Sequence, residues 1–179
     1  MRLVAEVIRK DRKATADFVA CYADCIYSYV RKRITPHQDA VDDLVQEVFL
    51  GAWQSLNSFR GDATLRSWLL GIARHKVQDY YRRRLREVEW PFDGEDSLEE
   101  PTITPLLEER LDRELTRDRL YRVLASLPER YSLALMWRYL ENRSVREIAE
   151  ATGKTEKAVE RLLARSRDQF KREWDHAAK

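Results

Sequence analysis

The stretch SVREIAEATGKTEKAVERL, residues 144–162, reads as two short helices and the turn between them. Ser144 and Glu147 have the spacing of a capping box, in which hydroxyl and carboxylate each satisfy a free backbone donor at a helix start. Gly153 supplies a residue that tolerates positive φ at the turn. Ala149 is small enough for a steep helix crossing. Ile148, Val159 and Leu162 supply the apolar clamp, and polar Thr152 and Lys154 flank the glycine. Thr155 is placed to cap the second helix. A plain antiparallel helix pair would share many of these features. The functional reading is a helix-turn-helix, whose second helix enters the DNA major groove. Its outward face is expected at Glu156, Lys157, Glu160, Arg161, Ala164 and Arg165. Arginine suits guanine edges or phosphates, and glutamate can accept from cytosine N4.

Working outward, the same helical period recurs. Phe18, Cys21, Cys25 and Tyr29, with Val30 beside them, predict a helix over 13–33, ended by Pro36. Val41, Val45, Val48 and Ala52 predict a second over 39–56, with Leu44 and Phe49 widening the stripe. Residues 58–63 (SFRGDA) read as a loop, and Thr64 as the cap of a helix over 65–86. In that helix Trp68, Leu69, Ile72 and Val77 are expected to face inward. Residues 87–105 hold three prolines and no sustained period, and read as a linker. Helical pattern returns over 106–127. Pro128 breaks it and suits the first turn of a helix over 129–141. The last helix is expected to run to about Trp174. No strand-like alternation is found, so the expected fold class is all-α, with two helical stretches either side of an acidic linker.

Length, 179 residues, permits one ordinary domain or two small ones. Charged residues make up 36% of the chain, and Gly and Pro number only five each, too few for the turns of an all-β fold. The net charge of +2 conceals a pattern. Residues 1–86 carry +6, residues 87–118 carry −9, and residues 119–179 carry +5. Two basic blocks flanking an acidic one suggest a polyanion partner, with the acidic segment a connector kept off nucleic acid or one that enters a basic channel elsewhere. No apolar run approaches the roughly 18 residues of a spanning helix. The stretch MRLVAEVIRKDRK lacks the apolar core of a secretory signal, so a cytoplasmic location is expected.

Two cysteines cannot staple a domain of this size. Cys21 and Cys25 share a face and are expected to pack in the core. The helix over 65–86 mixes cations with rings: Arg74, His75, Lys76, Tyr80, Tyr81 and Arg82 through Arg84. Cations hold phosphates, and rings can stack on unpaired bases. Composition alone favours a solvated charged helix with core aromatics. Asp42, Asp43 and Glu47 could form a metal site for a nuclease, but His37, His75 and His176 lie at no ligand-like spacing to them. A protein-binding acidic face is the better reading. No phosphate loop or catalytic triad is present, so no enzyme, metal or cofactor is expected.

In family order, DDLVQEVFLGAW (42–53), SFRGDATLRSWLLGIAR (58–74) and LASLPERY (124–131), followed by the helix-turn-helix, resemble the extracytoplasmic-function (ECF) sigma factors of the sigma-70 family. The resemblance implies sigma region two over 1–87, a linker over 88–106 and region four over 107–179. It also implies a transcription initiation factor that binds core RNA polymerase and directs it to promoter DNA. By position, Asp42, Asp43, Gln46, Glu47, Phe49 and Trp53 match the face that docks on the clamp helices of the largest subunit. Phe59, Arg60, Gly61 and Asp62 match the loop that captures a flipped minus-ten base. Trp68, Arg74, His75 and Lys76 match the promoter-melting helix. Thr155, Glu156, Lys157, Glu160, Arg161 and Arg165 match the minus-thirty-five recognition helix, and region four also touches the polymerase flap. The family often has Asn at the place of His75 and a basic residue at that of Glu160, so preferences at both elements are expected to differ. An anti-sigma factor is an implied partner, one that can hold the protein near the membrane without direct insertion. A helix-turn-helix regulator acting on duplex operators without polymerase is the alternative.

Overall fold

The computed structural model describes residues 2–34, 36–90 and 113–177. Most of the expected linker, and the expected helical stretch over 106–112, lie outside them. Among the described residues all regular structure is helical. The chain divides into two compact units at Tyr80/Tyr81, within a continuous helix.

The first unit contains α1 (Arg2–Ile8), α2 (Arg12–Ile34), α3 (Val41–Ser55) and most of α4 (Leu65–Glu87). Asp11 starts α2, its Oδ1 accepting from Ala14 N at 2.8 Å. Single 3-10 turns precede and follow α3, at Gln38–Ala40 and Leu56–Ser58. The core is built from Phe18, Ile26, Val30 and Ile34 of α2, Val41, Leu44, Val48, Phe49 and Ala52 of α3, and Leu69, Ala73, Val77 and Tyr80 of α4. Burying each large apolar side chain fully contributes roughly 1.5–3 kcal/mol, so this set holds the helices in register.

Three expectations need correction. The inward stripe of α2 runs through Ile26 and Val30, one position round from Cys25 and Tyr29. Cys21 is exposed and Cys25 half-buried, so neither is a core residue. Trp68 and Ile72 are likewise half-buried rather than enclosed.

The second unit runs from Tyr81 and includes α5 (Arg113–Ser126), α6 (Glu129–Leu135), α7 (Val145–Thr152) and α8 (Glu156–His176). Pro128 stands at the N-cap of α6 rather than in its first turn, and its carbonyl accepts from Tyr131 N at 2.8 Å. The helix expected over 129–141 changes character part-way. Met136–Leu140 forms a π-helical turn, with Glu141 N bonding back to Met136 O at 3.2 Å. Asn142 then takes a left-handed conformation at φ 53°. α5, α6 and α7 all pack on α8, around Leu133, Met136, Trp137, Ile148, Val159, Leu162 and Leu163.

Candidate protein and nucleic-acid interfaces

In the first unit, α3 presents a single outward stripe. Asp42, Asp43 and Gln46 are exposed, and Glu47 is partly so. The stripe then turns apolar: Leu50 is 57% exposed and Trp53 40%. An acidic half followed by an apolar half suits a basic protein surface with an apolar centre, and repels phosphate. Phe49 does not belong to this stripe. It is buried, meeting Phe18 edge-on at 6.1 Å between centroids. Phe49, expected on the docking face, is therefore a core residue beneath the stripe, and Leu50 is the exposed residue at that point of it. Leu50 was findable in the sequence, because it lies i+4 from Gln46 and i−3 from Trp53. Trp53 also lines an open cleft of about 450 Å³ with Val7 and Ile8 of α1 and Leu56. Sequence reading placed no helix over 2–8, so this neighbour of Trp53 was missed.

The loop after α3 is tied at both ends. Ser58 Oγ donates to Ser55 O at 2.7 Å, and Phe59 N donates to Leu56 O at 3.1 Å. At the far end Thr64 Oγ1 accepts from Ser67 N at 3.1 Å, the expected cap of α4. Phe59 and Trp68 rings lie 5.4 Å apart, so the loop folds back on the first turns of that helix. Gly61 sits at φ 82°, a left-handed conformation that needs glycine. Arg60 and Asp62 are left exposed between these anchors. On α4, Arg74 and His75 are exposed. Lys76 instead lays its stem towards Gly51 and pairs with Glu47 at 3.3 Å. The structure thus joins a residue of the expected docking face to one of the expected DNA face.

In the second unit the turn has the expected geometry. Gly153 is left-handed at φ 72°, and Lys154 N bonds Ala149 O at 3.1 Å. Ser144 accepts from Glu147 N at 3.1 Å, while Glu147 Oε2 accepts from Ser144 N at 2.8 Å. Arg143 also donates to Glu147, at 2.7 Å. The Ser144 amide first, then Arg143, hold the Glu147 carboxyl down at about 2. Thr152 resolves its own polarity by donating to Ile148 O at 2.7 Å, so it sits buried beside the glycine. Thr155 caps α8, accepting from Ala158 N at 3.2 Å.

On α8, Glu156, Lys157 and Glu160 are exposed, and Arg161 and Arg165 are half-exposed one turn apart. Ala164, expected outward, is buried and belongs to the packing face. On α7, Arg146 pairs with Glu150 at 2.8 Å. Glu150 chiefly, and Glu156 in addition, push the Arg146 guanidinium up. Arg146 of α7 is therefore close enough to Glu156, the first residue of α8, to feel its charge.

Comparison with known proteins agrees with both units. Residues 18–87 match the model of sigma-70 region 2, and residues 117–170 match that of sigma-70, region 4. The chain is 30% identical over 163 residues to RNA polymerase sigma factor YlaC of Bacillus subtilis, covering 91% of this chain and 93% of that protein. This chain belongs to the sigma-70 family, within its ECF group. The ECF RNA polymerase sigma-E factor of Escherichia coli K12 is 34% identical over 156 residues, covering 82% of this chain and 79% of that one. A solved complex of sigma factor RpoE with anti-sigma factor NepR from Bartonella quintana aligns at 20% identity, covering 89% and 96%, with a TM-score of 0.42. Among the described residues of this sigma factor, no helix is long and apolar enough to cross a membrane. Nor, among the described residues, do three or more His, Cys, Asp or Glu gather into a group able to hold a metal.

Proposed function

We propose that this chain is a promoter-specificity subunit: it binds core RNA polymerase, directs it to particular promoters and has no catalytic chemistry of its own. The observation that carries this is the stripe on α3, acidic and then apolar, on the same chain as a helix-turn-helix. A conventional operator-binding regulator uses the second feature and leaves the first without work. The nuclease alternative fares no better, because Asp42 and Asp43, as successive helical residues, point about 100° apart, and Glu47 is engaged by Lys76.

In this reading Asp42, Asp43, Gln46, Glu47, Leu50 and Trp53 meet the clamp helices, and Phe49 braces α3 from beneath. Phe59 through Asp62 accept an extruded minus-ten base. Such extrusion costs a few kcal/mol of unstacking, which a fitted loop must offset. Trp68, Arg74, His75 and Lys76 hold the melted strand. Glu156, Lys157, Glu160, Arg161 and Arg165 face the minus-thirty-five duplex, with Thr155 fixing the start of their helix. The polymerase flap, and an anti-sigma factor that restrains the free protein, complete the partners.

The test is a double charge reversal, Asp43→Arg with Glu47→Arg. Both side chains are surface groups, so the fold should persist. Close like charges at an interface cost several kcal/mol, so co-purification with core polymerase should be lost. Undiminished co-purification by the folded variant overturns the docking assignment.

A further inference from the structure

Cys21 and Cys25 stand one helical turn apart on α2, and neither is in the core. Cys21 is open to solvent, whereas Cys25 is half-buried and contacted by another helix. Arg66, in the first turn of α4, donates from Nε to Cys25 Sγ at 3.3 Å. Arg66 lies two residues beyond the Thr64 cap and two before Trp68, whose ring packs on Phe59 of the loop. The half-buried sulfur is therefore a tie between α2 and the start of α4. Nothing in the promoter-specificity reading uses it.

We infer that Cys21 and Cys25 form a peroxide-reactive thiol pair whose oxidation unties Arg66 from α2. Oxidation of cysteine follows thiolate character and access, and access puts Cys21 first, since it is open to solvent while Cys25 is half-buried. The Cys21 thiolate attacks one oxygen of a hydroperoxide. The O–O bond breaks, the other oxygen leaves and takes up a proton, and Cys21 becomes a sulfenic acid. The Cys25 thiol then attacks that sulfur. The S–O bond breaks, the hydroxyl departs as water with the thiol proton, and an S–S bond forms. With hydrogen peroxide, two thiols and one peroxide give one disulfide and two waters.

Helix geometry makes the product reversible. Residues at i and i+4 place their Cβ atoms about 5–6 Å apart, whereas a disulfide wants about 3.5–4.5 Å. Closure must pull the two together and disturb a turn of α2. Strained bridges of this kind are the easily reduced ones. Closure also swings the Cys25 sulfur away from Arg66, so the first turn of α4 loses its tie to α2 and keeps only the Thr64 cap and the Phe59–Trp68 contact. This site stands apart from the transcriptional reading and can be tested without polymerase.

The experiment treats the full-length chain with hydrogen peroxide under native conditions. Intact mass, thiol titration and hydrogen exchange are read before and after, then again after dithiothreitol. The expected result is a monomer lighter by two hydrogen atoms, with the loss confined to the tryptic peptide 14–31. Both titratable thiols should vanish and return on reduction. Amide exchange in the first turn of α4 should rise several-fold on oxidation. In Cys25→Ser, dimedone should trap a sulfenic acid on Cys21, with no bridge and no change in α4 exchange. Two thiols that stay titratable, a disulfide formed only between chains, or oxygen adducts accumulating on Cys21 of the wild type each overturn the pair. A bridge without any change in α4 exchange overturns the tie.

Discussion

Lys76 Nζ on α4 lies 3.3 Å from Glu47 Oε2 on α3. In the proposed function the two side chains belong to faces with opposite tasks, one acidic and meeting polymerase, the other basic and meeting DNA. Each is about a third exposed or more, at 31% and 40%. At that exposure an ion pair contributes only about 0–1 kcal/mol, because water and salt screen it. The pair therefore matters less for stability than for availability. While it holds, neither charge is free for its partner. Lys76→Met is expected to leave the melting temperature within a few degrees of wild type and to lower open-promoter formation. Thermal unfolding beside permanganate footprinting of the minus-ten element checks this. A large loss of thermal stability would show that the pair is structural.

Phe49 and Leu50 are neighbours with opposite fates, and substitution separates them. Phe49→Ala empties a core position between α3 and Phe18, which costs about 3–5 kcal/mol. Leu50→Ala removes an exposed side chain and should stay within about 0.5 kcal/mol of wild type, while weakening affinity for core polymerase. Denaturant melts and a binding titration of each variant decide the matter. Wild-type affinity in a fully folded Leu50→Ala would remove Leu50 from the docking face.

Sequence and structure agree best where one residue's local chemistry is decisive. Ser144, Gly153 and Thr155 each answer a backbone requirement, so their roles follow from residue type and spacing. Agreement fails where two apolar residues are adjacent. A helical stripe advances about 100° per residue, and Phe49 beside Leu50, or Cys25 beside Ile26, leaves its phase ambiguous by one position. Ala164 was misplaced for the same reason, since a small residue fits either face. α1 is too short to show a period. The π-helical turn at Met136–Leu140 depends on a shifted bonding ladder that residue types do not announce. The ion pair between Glu47 and Lys76 is a tertiary contact across 29 positions, and no local pattern points to it.

Gly153 is left-handed at φ 72°, and a Cβ added there would meet nothing within 4 Å. The cost of Gly153→Ala is therefore that of the backbone alone, roughly 1–2 kcal/mol. Chemical denaturation should show that loss with an unchanged slope. An unaltered midpoint would mean the turn relaxes freely.

The capping box gives a pH signature. Glu147 is held at about 2, below its ordinary 4.5, chiefly by the Ser144 amide. A carboxyl lowered on folding stabilises the native state above its unfolded value. That contribution is complete above about 4.5 and disappears as pH falls through about 2. Acid unfolding of Glu147→Gln should lack this portion of the pH dependence, and its stability should converge with wild type at the acid end. Parallel curves for the two proteins across that window would refute the assignment.

Promoter-specific initiation is the central claim, and reconstituted transcription tests it most directly. Core polymerase is given a template library randomised separately across the minus-ten and minus-thirty-five elements, with and without this chain. The account predicts that defined start sites appear only with the chain present. Arg161→Ala with Arg165→Ala should relax preference at the minus-thirty-five element alone, by about 1–3 kcal/mol for each base edge no longer read. His75→Asn, or a replaced 58–64 loop, should change preference at the minus-ten element alone. Binding of duplex without polymerase, together with no chain-dependent start sites, would contradict the account.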